Sequence, residues 1–235
     1  ENRQLYEIAH YVEETARLPQ RFAKLDVLEL CDTDCFPCID ACILTVLMTQ
    51  ISNQVIPVDT IYKVVEKRRT KTWYEDAACY YEGILQVANM QTFFVEHSGG
   101  FHIAEPYKLW QAYTTDYYRM DGYYRQFYLC FQRNLKDSDP QLDDLFKHVA
   151  QRVEGLYAHW FLGQLGENWT KVCAEELEQY GRIQNIQQQT DFYRNYVRSS
   201  DNRVFVIVSD ALRYEVAAAL SEQLQREMQS SVRLS

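Results

Sequence analysis

The sequence predicts a mainly α protein: a multi-helix bundle or array over residues 1–198, then the first βα unit of an α/β domain over 199–235. Three observations carry this reading. From Asn2 to about Arg198 the apolar residues recur at steps of three and four, the spacing that lines one face of a helix. Only 8 glycines and 5 prolines occur in 235 residues, too few for the turns of an all-β chain. The texture changes once, at Ser199, where helical periodicity gives way to a short unbroken β-branched run.

Ala41 to Met48 is the longest apolar run, interrupted by Thr45, and reads as a buried helix. A further helix runs from about Trp73 to His97 and is ended by Ser98-Gly99-Gly100. Trp110, Tyr113, Tyr117, Met120, Tyr124, Phe127 and Phe131 alternate by three and four, so one aromatic stripe is expected along a single helix face. Asp139-Pro140 has the chemistry of a helix start, with a capping carboxylate and a proline where no N–H is needed. The apolar positions after it carry that helix toward Val172, and Thr190 caps a short helix to about Val197. Beyond the polar loop Ser199–Arg203, Val204-Phe205-Val206-Ile207-Val208 shows no alternation, as in a parallel strand covered on both faces. Ala211 to about Met228 is an amphipathic helix, and Val232 to Ser235 begins a second strand. As a severed βα unit, Val204–Val208 is expected to lack partners on at least one side.

Charge and composition narrow the function. A net charge of −9 opposes broad binding to phosphate backbones by this chain, since such contacts need clustered Lys and Arg. No apolar run approaches the roughly 20 residues that span a bilayer. Glu1-Asn2-Arg3-Gln4 carries no apolar leader, and seven cysteines in a chain of this size read as reduced thiols of a cytoplasmic protein. The 18 tyrosines read as core packing, the five histidines as ordinary residues without metal spacing, and Lys67-Arg68-Arg69 with Lys71 as a solvated helix end favoured by the dipole. Asn168-Trp169-Thr170 fits a glycosylation sequon inside a helical pattern and carries no argument.

Two constellations could carry chemistry. Asp210 ends the predicted strand immediately before a helix, where open α/β sheets gather their ligands. Its carboxylate could hold a divalent cation, or it could cap the helix; spacing leaves both open. Cys31, Cys35 and Cys38 have the C-x3-C-x2-C spacing of an iron–sulfur loop, with Cys42 as a fourth thiol. The same steps of four, three and four also place small apolar side chains on one helix face. Asp34 with Pro37 instead starts a helix near residue 35, which leaves Cys31 outside it, and the expectation is thiols that are reduced and metal-free.

The run from Val204 to Leu220, above all Ser209-Asp210-Ala211-Leu212-Arg213-Tyr214-Glu215, resembles the signature of the PglZ family, the alkaline-phosphatase-superfamily proteins of BREX bacteriophage-exclusion systems. Upstream, the stretch Tyr113 to Phe127, the stretch Trp160 to Trp169, and Thr190-Asp191-Phe192-Tyr193 resemble the helical region before that family's phosphatase domain. The first 70 residues match only loosely. The resemblance implies that residues 199–235 open an alkaline-phosphatase-like α/β domain, and that Asp210 corresponds to the superfamily's first metal-ligand aspartate. It also implies a divalent cofactor, zinc or another, in the intact parent, with a Thr or Ser nucleophile and further Asp and His ligands lying past Ser235. The chain alone is then expected to hold no cofactor and to be inert as a metal-dependent phosphoester hydrolase. Implied partners are other BREX proteins, the methyltransferase and associated subunits. Nucleic acid is compatible with the parent but not with this acidic stretch, and no membrane is implied. A non-catalytic helical scaffold that docks other defence subunits is the alternative.

Overall fold

A computed structural model describes residues 2–134, 139–228, 231–232 and 234. The protein is mainly α, and among the described residues no β-strand occurs. No described helix is long and apolar enough to cross a membrane. The chain divides into two compact units, Glu1–Gly99 with Tyr123–Gly163, and Gly100–Gly122 with Gln164–Ser235.

The first unit is built around α4 (Cys38–Ser52), which packs on α2 (Leu18–Phe22), α3 (Val27–Leu30), α6 (Tyr74–Glu96) and α9 (Pro140–Glu154). Ile39, Ile43, Leu44, Leu47, Met48 and Ile51 of α4 are fully buried, each worth about 1.5–3 kcal/mol relative to exposure. That explains the apolar run read from sequence. A proline ring at its N-terminus, Pro37, precedes α4. Helix α5 (Val58–Arg68) packs on α6, and α1 (Asn2–Ala16) packs on α2. Asp26 caps α3 by accepting from Leu28 N at 2.8 Å, and Asp139 caps α9 by accepting from Gln141 N at 2.8 Å, as the Asp-Pro pair predicted. Gly83 of α6 is required by closeness: a Cβ there would fall on the ring of Phe146 of α9.

The basic run departs from expectation. Arg68 is not a solvated helix end but completely buried. Its Nε and Nη2 donate to the two oxygens of buried Asp40 at 2.8 and 2.7 Å, and its Nη1 donates to Thr33 O at 2.5 Å. Tyr81 donates its hydroxyl to Asp40 Oδ1 at 2.7 Å. Helix-end position predicts a cation facing water; here a buried carboxylate on a neighbouring helix captures it instead.

The second unit contains α7 (Pro106–Ala112), a π-helical segment at Tyr113–Tyr117, the first residues of α8 (Tyr118–Asn134), α10 (Gly163–Tyr180) and α11 (Tyr214–Glu227). Phe101, Leu109, Met120, Cys173 and Ala218 are its buried apolar side chains. Asn168 of α10 serves as a peptide mimic, donating to Ile103 O at 3.0 Å and accepting from Ile103 N at 3.3 Å; the amide of the sequon is therefore occupied. The expected aromatic stripe is interrupted by the π segment, which inserts a residue and turns the next face by about 100°. Tyr113 and Tyr117 are half-buried, whereas Met120 and Phe127 are fully buried. A second π segment, Gly155–Leu162, interrupts the helix beyond α9. Near Thr190 the structure has a 3-10 turn at Gln189–Asp191 and a π turn at Tyr193–Val197, with no side-chain cap from Thr190.

The predicted strand Val204–Val208 is the main local difference. Residues 203–209 are neither helix nor strand, and Phe205, Ile207 and Val208 are 77%, 90% and 89% exposed. β-Branched residues favour a pleated surface only where neighbouring strands and covering helices receive them, and none among the described residues does so. The next helix falls inside its expected span, at Tyr214–Glu227 rather than Ala211–Met228. Of the expected second strand, Arg233 and Ser235 lie outside the described residues.

Candidate functional site

The candidate site is the turn that carries Asp210, together with helix α11 just beyond it. Asp210 lies in a turn and is exposed. Its Oδ1 accepts from the N–H of Ala211 at 3.1 Å. Ala211 adopts φ 56°, the left-handed region that a residue with a Cβ enters at a cost of about 1–2 kcal/mol. Leu212 and Arg213 are not helical, and Arg213, at φ −71° and ψ 158°, occupies the N-cap position of α11. Asp210 is therefore not a helix cap, because the helix starts at Tyr214 and not at Ala211. Of the two readings that spacing left open, the capping one is removed.

The start of α11 is tied to the π segment of the same unit. The hydroxyl of Tyr214 donates to Thr114 O at 2.9 Å, a carbonyl of that segment. The Tyr214 ring meets Tyr113 and Tyr118 at centroid distances of 5.9 and 5.3 Å. Tyr113 donates its hydroxyl to Asp121 Oδ2 at 2.9 Å; burial first, then the Asp121 carboxylate, push its phenol well above the usual tyrosine range. Arg213 reaches Asp121 Oδ1 at 3.7 Å and Glu215 Oε1 at 3.3 Å. Glu215 and Asp121 are 3% and 4% exposed, so two carboxylates are held out of water with a guanidinium between them. Glu215 also stands in the first turn of α11, where the helix dipole favours an anion. Local sequence pattern puts Tyr113 in an aromatic stripe and Arg213, Tyr214 and Glu215 in the signature run, but does not join them to one another. The signal is weak there because Tyr214 and its acceptor lie 100 positions apart.

As a cation ligand, Asp210 offers one open carboxylate. Among the described residues no group of three His, Cys, Asp or Glu side chains comes together to hold a metal ion. One carboxylate fits one vertex of a coordination shell, while a hard divalent cation takes six or more oxygens. The described residues do not form a complete metal site.

Cys31 lies outside the helix that carries Cys38 and Cys42, as the Asp34 and Pro37 start implied, and Cys35 lies outside it too. Cys31 comes just after α3, Cys35 lies in a loop, and Cys38 opens α4 with Cys42 one turn on. All seven thiols are free of disulfides. Cys38 and Cys42 line a cleft of about 960 Å³ in the first unit together with Glu13, Trp73, Asp76 and Tyr80. Glu13 is buried, accepts from Cys38 N at 2.7 Å, and meets His10 Nδ1 at 3.0 Å. Burial and the Glu13 carboxylate push the Cys38 thiol far up, so it stays protonated and is a poor nucleophile.

Comparison with known proteins bears on the Asp210 segment directly. Residues 191–235 match the family described as the BREX system PglZ alkaline phosphatase-like domain. The chain is 29% identical over 228 residues to an alkaline phosphatase-like protein PglZ from Bacillus cereus (strain H3081.97), covering 96% of this chain and 26% of that protein. It is 30% identical over 209 residues to an alkaline phosphatase-like protein BrxZ from Escherichia coli O9:H4 (strain HS), covering 83% of this chain and 24% of that one. No solved structure matches the chain significantly. The chain thus spans about a quarter of the length of these curated relatives. The segment around Asp210 matches the PglZ alkaline phosphatase-like domain, and the helical part is similar to the same two relatives.

Proposed function

We propose that this chain is part of a metal-dependent phosphatase or phosphodiesterase of a BREX antiphage system. In this reading residues 1–198 form a helical interaction module, residues 199–235 open the alkaline-phosphatase-like α/β domain, and Asp210 supplies one ligand to a zinc or other divalent ion. The observation that carries it is the family match over residues 191–235, centred on the Asp210 turn. The geometry is consistent: the carboxylate is exposed and is not used as a cap. When bound, the cations would activate a hydroxyl nucleophile and stabilise the leaving oxygen. The protein works in the cytoplasm with the BREX methyltransferase and associated subunits, and its acidic helical part does not engage nucleic acid.

The test is Asp210→Asn in the full-length protein. Asn keeps the shape and one neutral oxygen but removes the charge. Because Asp210 is exposed and, among the described residues, bonds only to the adjacent N–H, the folding free energy should change by less than about 0.5 kcal/mol. Bound metal and phosphodiester hydrolysis should fall together. Unchanged metal content and rate would refute the ligand role.

A scaffold role without catalysis is favoured by one observation: on α1, Leu5, Ile8 and Tyr11 are apolar and exposed. Under that reading Ile8→Glu releases the methyltransferase from co-purified complexes while hydrolysis is absent from wild type as well.

A further inference from the structure

We infer that Arg213, Tyr214 and Glu215 form a latch that holds the Asp210 turn against the Tyr113–Asp121 segment, which makes them positioning residues for Asp210. The latch rests on the ligand reading of Asp210 for its purpose, but its geometry stands independently.

Three kinds of contact converge within five residues of Asp210. The first is directional: the Tyr214 hydroxyl bonds to Thr114 O at 2.9 Å. The acceptor belongs to the π-helical segment Tyr113–Tyr117, and single π turns depart from the regular α ladder at functional positions more often than elsewhere. The second is shape, the Tyr214 ring seated between Tyr113 and Tyr118. The third is charge. Arg213 lies between the buried carboxylates of Asp121 and Glu215 at 3.7 and 3.3 Å, and Tyr113 donates to the other oxygen of Asp121. Each buried carboxylate attracts the guanidinium, so Arg213 is held from two sides, although more than half of its side chain is exposed.

Chain reach turns this latch into a positional constraint. With Tyr214 fixed, Asp210 lies four residues upstream, within about 14 Å at full extension. The turn at Ala211 bends the path and shortens that reach. Residues 203–209 on the other side have no ladder or helix to hold them. The latch is then what determines where the carboxylate stands.

Trypsin reads the latch with an internal reference. Cleavage after Arg203, in the open run, reports general access; cleavage after Arg213 requires the latch to open. Tyr214→Phe keeps the ring and removes the hydroxyl. Cleavage after Arg213 should accelerate about 2- to 12-fold, the shift expected from losing one hydrogen bond, with the Arg203 rate unchanged. Near-ultraviolet circular dichroism from the packed tyrosines should weaken at the same time. If Tyr214→Phe yields little folded protein, Tyr113→Phe, which removes the Asp121 bond of the same latch, makes the same comparison. An Arg213 rate equal to wild type in both variants overturns the latch.

Manganese affinity of the full-length protein then separates the two ideas. Weakening by both Asp210→Asn and Tyr214→Phe supports the positioning role. Weakening by Asp210→Asn alone overturns it. No change with either variant, alongside faster cleavage after Arg213, rejects Asp210 as a ligand and leaves the latch supported.

Discussion

Replacing Asp40 by Asn removes one charge from the first unit with almost no change in shape, and the structure sets how much that should matter. Asp40 is 3% exposed and Arg68 is fully buried. The carboxylate accepts two guanidinium bonds at 2.8 and 2.7 Å and the Tyr81 hydroxyl at 2.7 Å. Asn retains one acceptor oxygen but turns an NH2 group toward a donor, so at least one charged hydrogen bond is lost and the buried guanidinium loses its counter-charge. Breaking a buried pair from one side costs about 3–5 kcal/mol. For a chain of this size, 1 kcal/mol moves Tm by about 2–4 °C, so the drop should be roughly 6–20 °C, read by thermal or urea unfolding. Tyr81→Phe should cost less, about 1.5–3 kcal/mol, because it removes one bond to a charged acceptor. Combining Asp40→Leu and Arg68→Met with Tyr81→Phe should recover most of the loss, since apolar side chains of similar volume remove both desolvation penalties and no buried Tyr81 hydroxyl is left without its acceptor. A loss below about 1 kcal/mol for Asp40→Asn would refute the network as described, and would mean that water reaches Arg68.

Glycine, cysteine and tyrosine positions give three further expected outcomes. Gly83→Ala should destabilise by about 1–3 kcal/mol, because overpacking against Phe146 outweighs the gain in helix propensity; Gly166→Ala in α10, whose Cβ meets nothing within 4 Å, should stabilise by about 0.5–1 kcal/mol, and urea unfolding of the two variants checks the contrast. Among the thiols, exposed Cys35 should react first with a chromogenic disulfide, and buried Cys31 and Cys173 only on unfolding. Cys130, pushed up to about 11 by burial, should lag as well, and mass mapping of the labelled sites reads the order. Stability should fall as pH rises above about 10. Burial and neighbouring carboxylates raise the phenols of Tyr74, Tyr80, Tyr81, Tyr113 and Tyr128. The unfolded chain therefore loses those protons first, and stability is present below the unfolded value and lost as pH climbs toward the folded ones. A flat unfolding midpoint between pH 9 and 11.5 would contradict this.

The sequence by itself determined the helices, because their cause is local. The apolar run around Ala41–Met48, the Asp139-Pro140 start and the Trp73–His97 span each depend on residues within a turn or two of one another, and each appears at α4, α9 and α6. The Ser209–Glu215 motif was likewise legible as a family signature, since it is a string. Tertiary structure decided the rest. A strand at Val204–Val208 depends on neighbours that local propensity cannot supply, and without them the run stays open. Helical spacing could not foresee the π turn at Tyr113–Tyr117, where the register shifts by one residue. Arg68 could not be told from its solvated neighbours Lys67 and Arg69, because its burial depends on Asp40, 28 positions away. Tyr214 and Thr114, 100 positions apart, meet only when the second unit folds. Spacing along a chain reports periodicity and capping; it does not report which distant charge or carbonyl a side chain meets once water is excluded, and in this protein those meetings hold the core arginine and the aspartate turn.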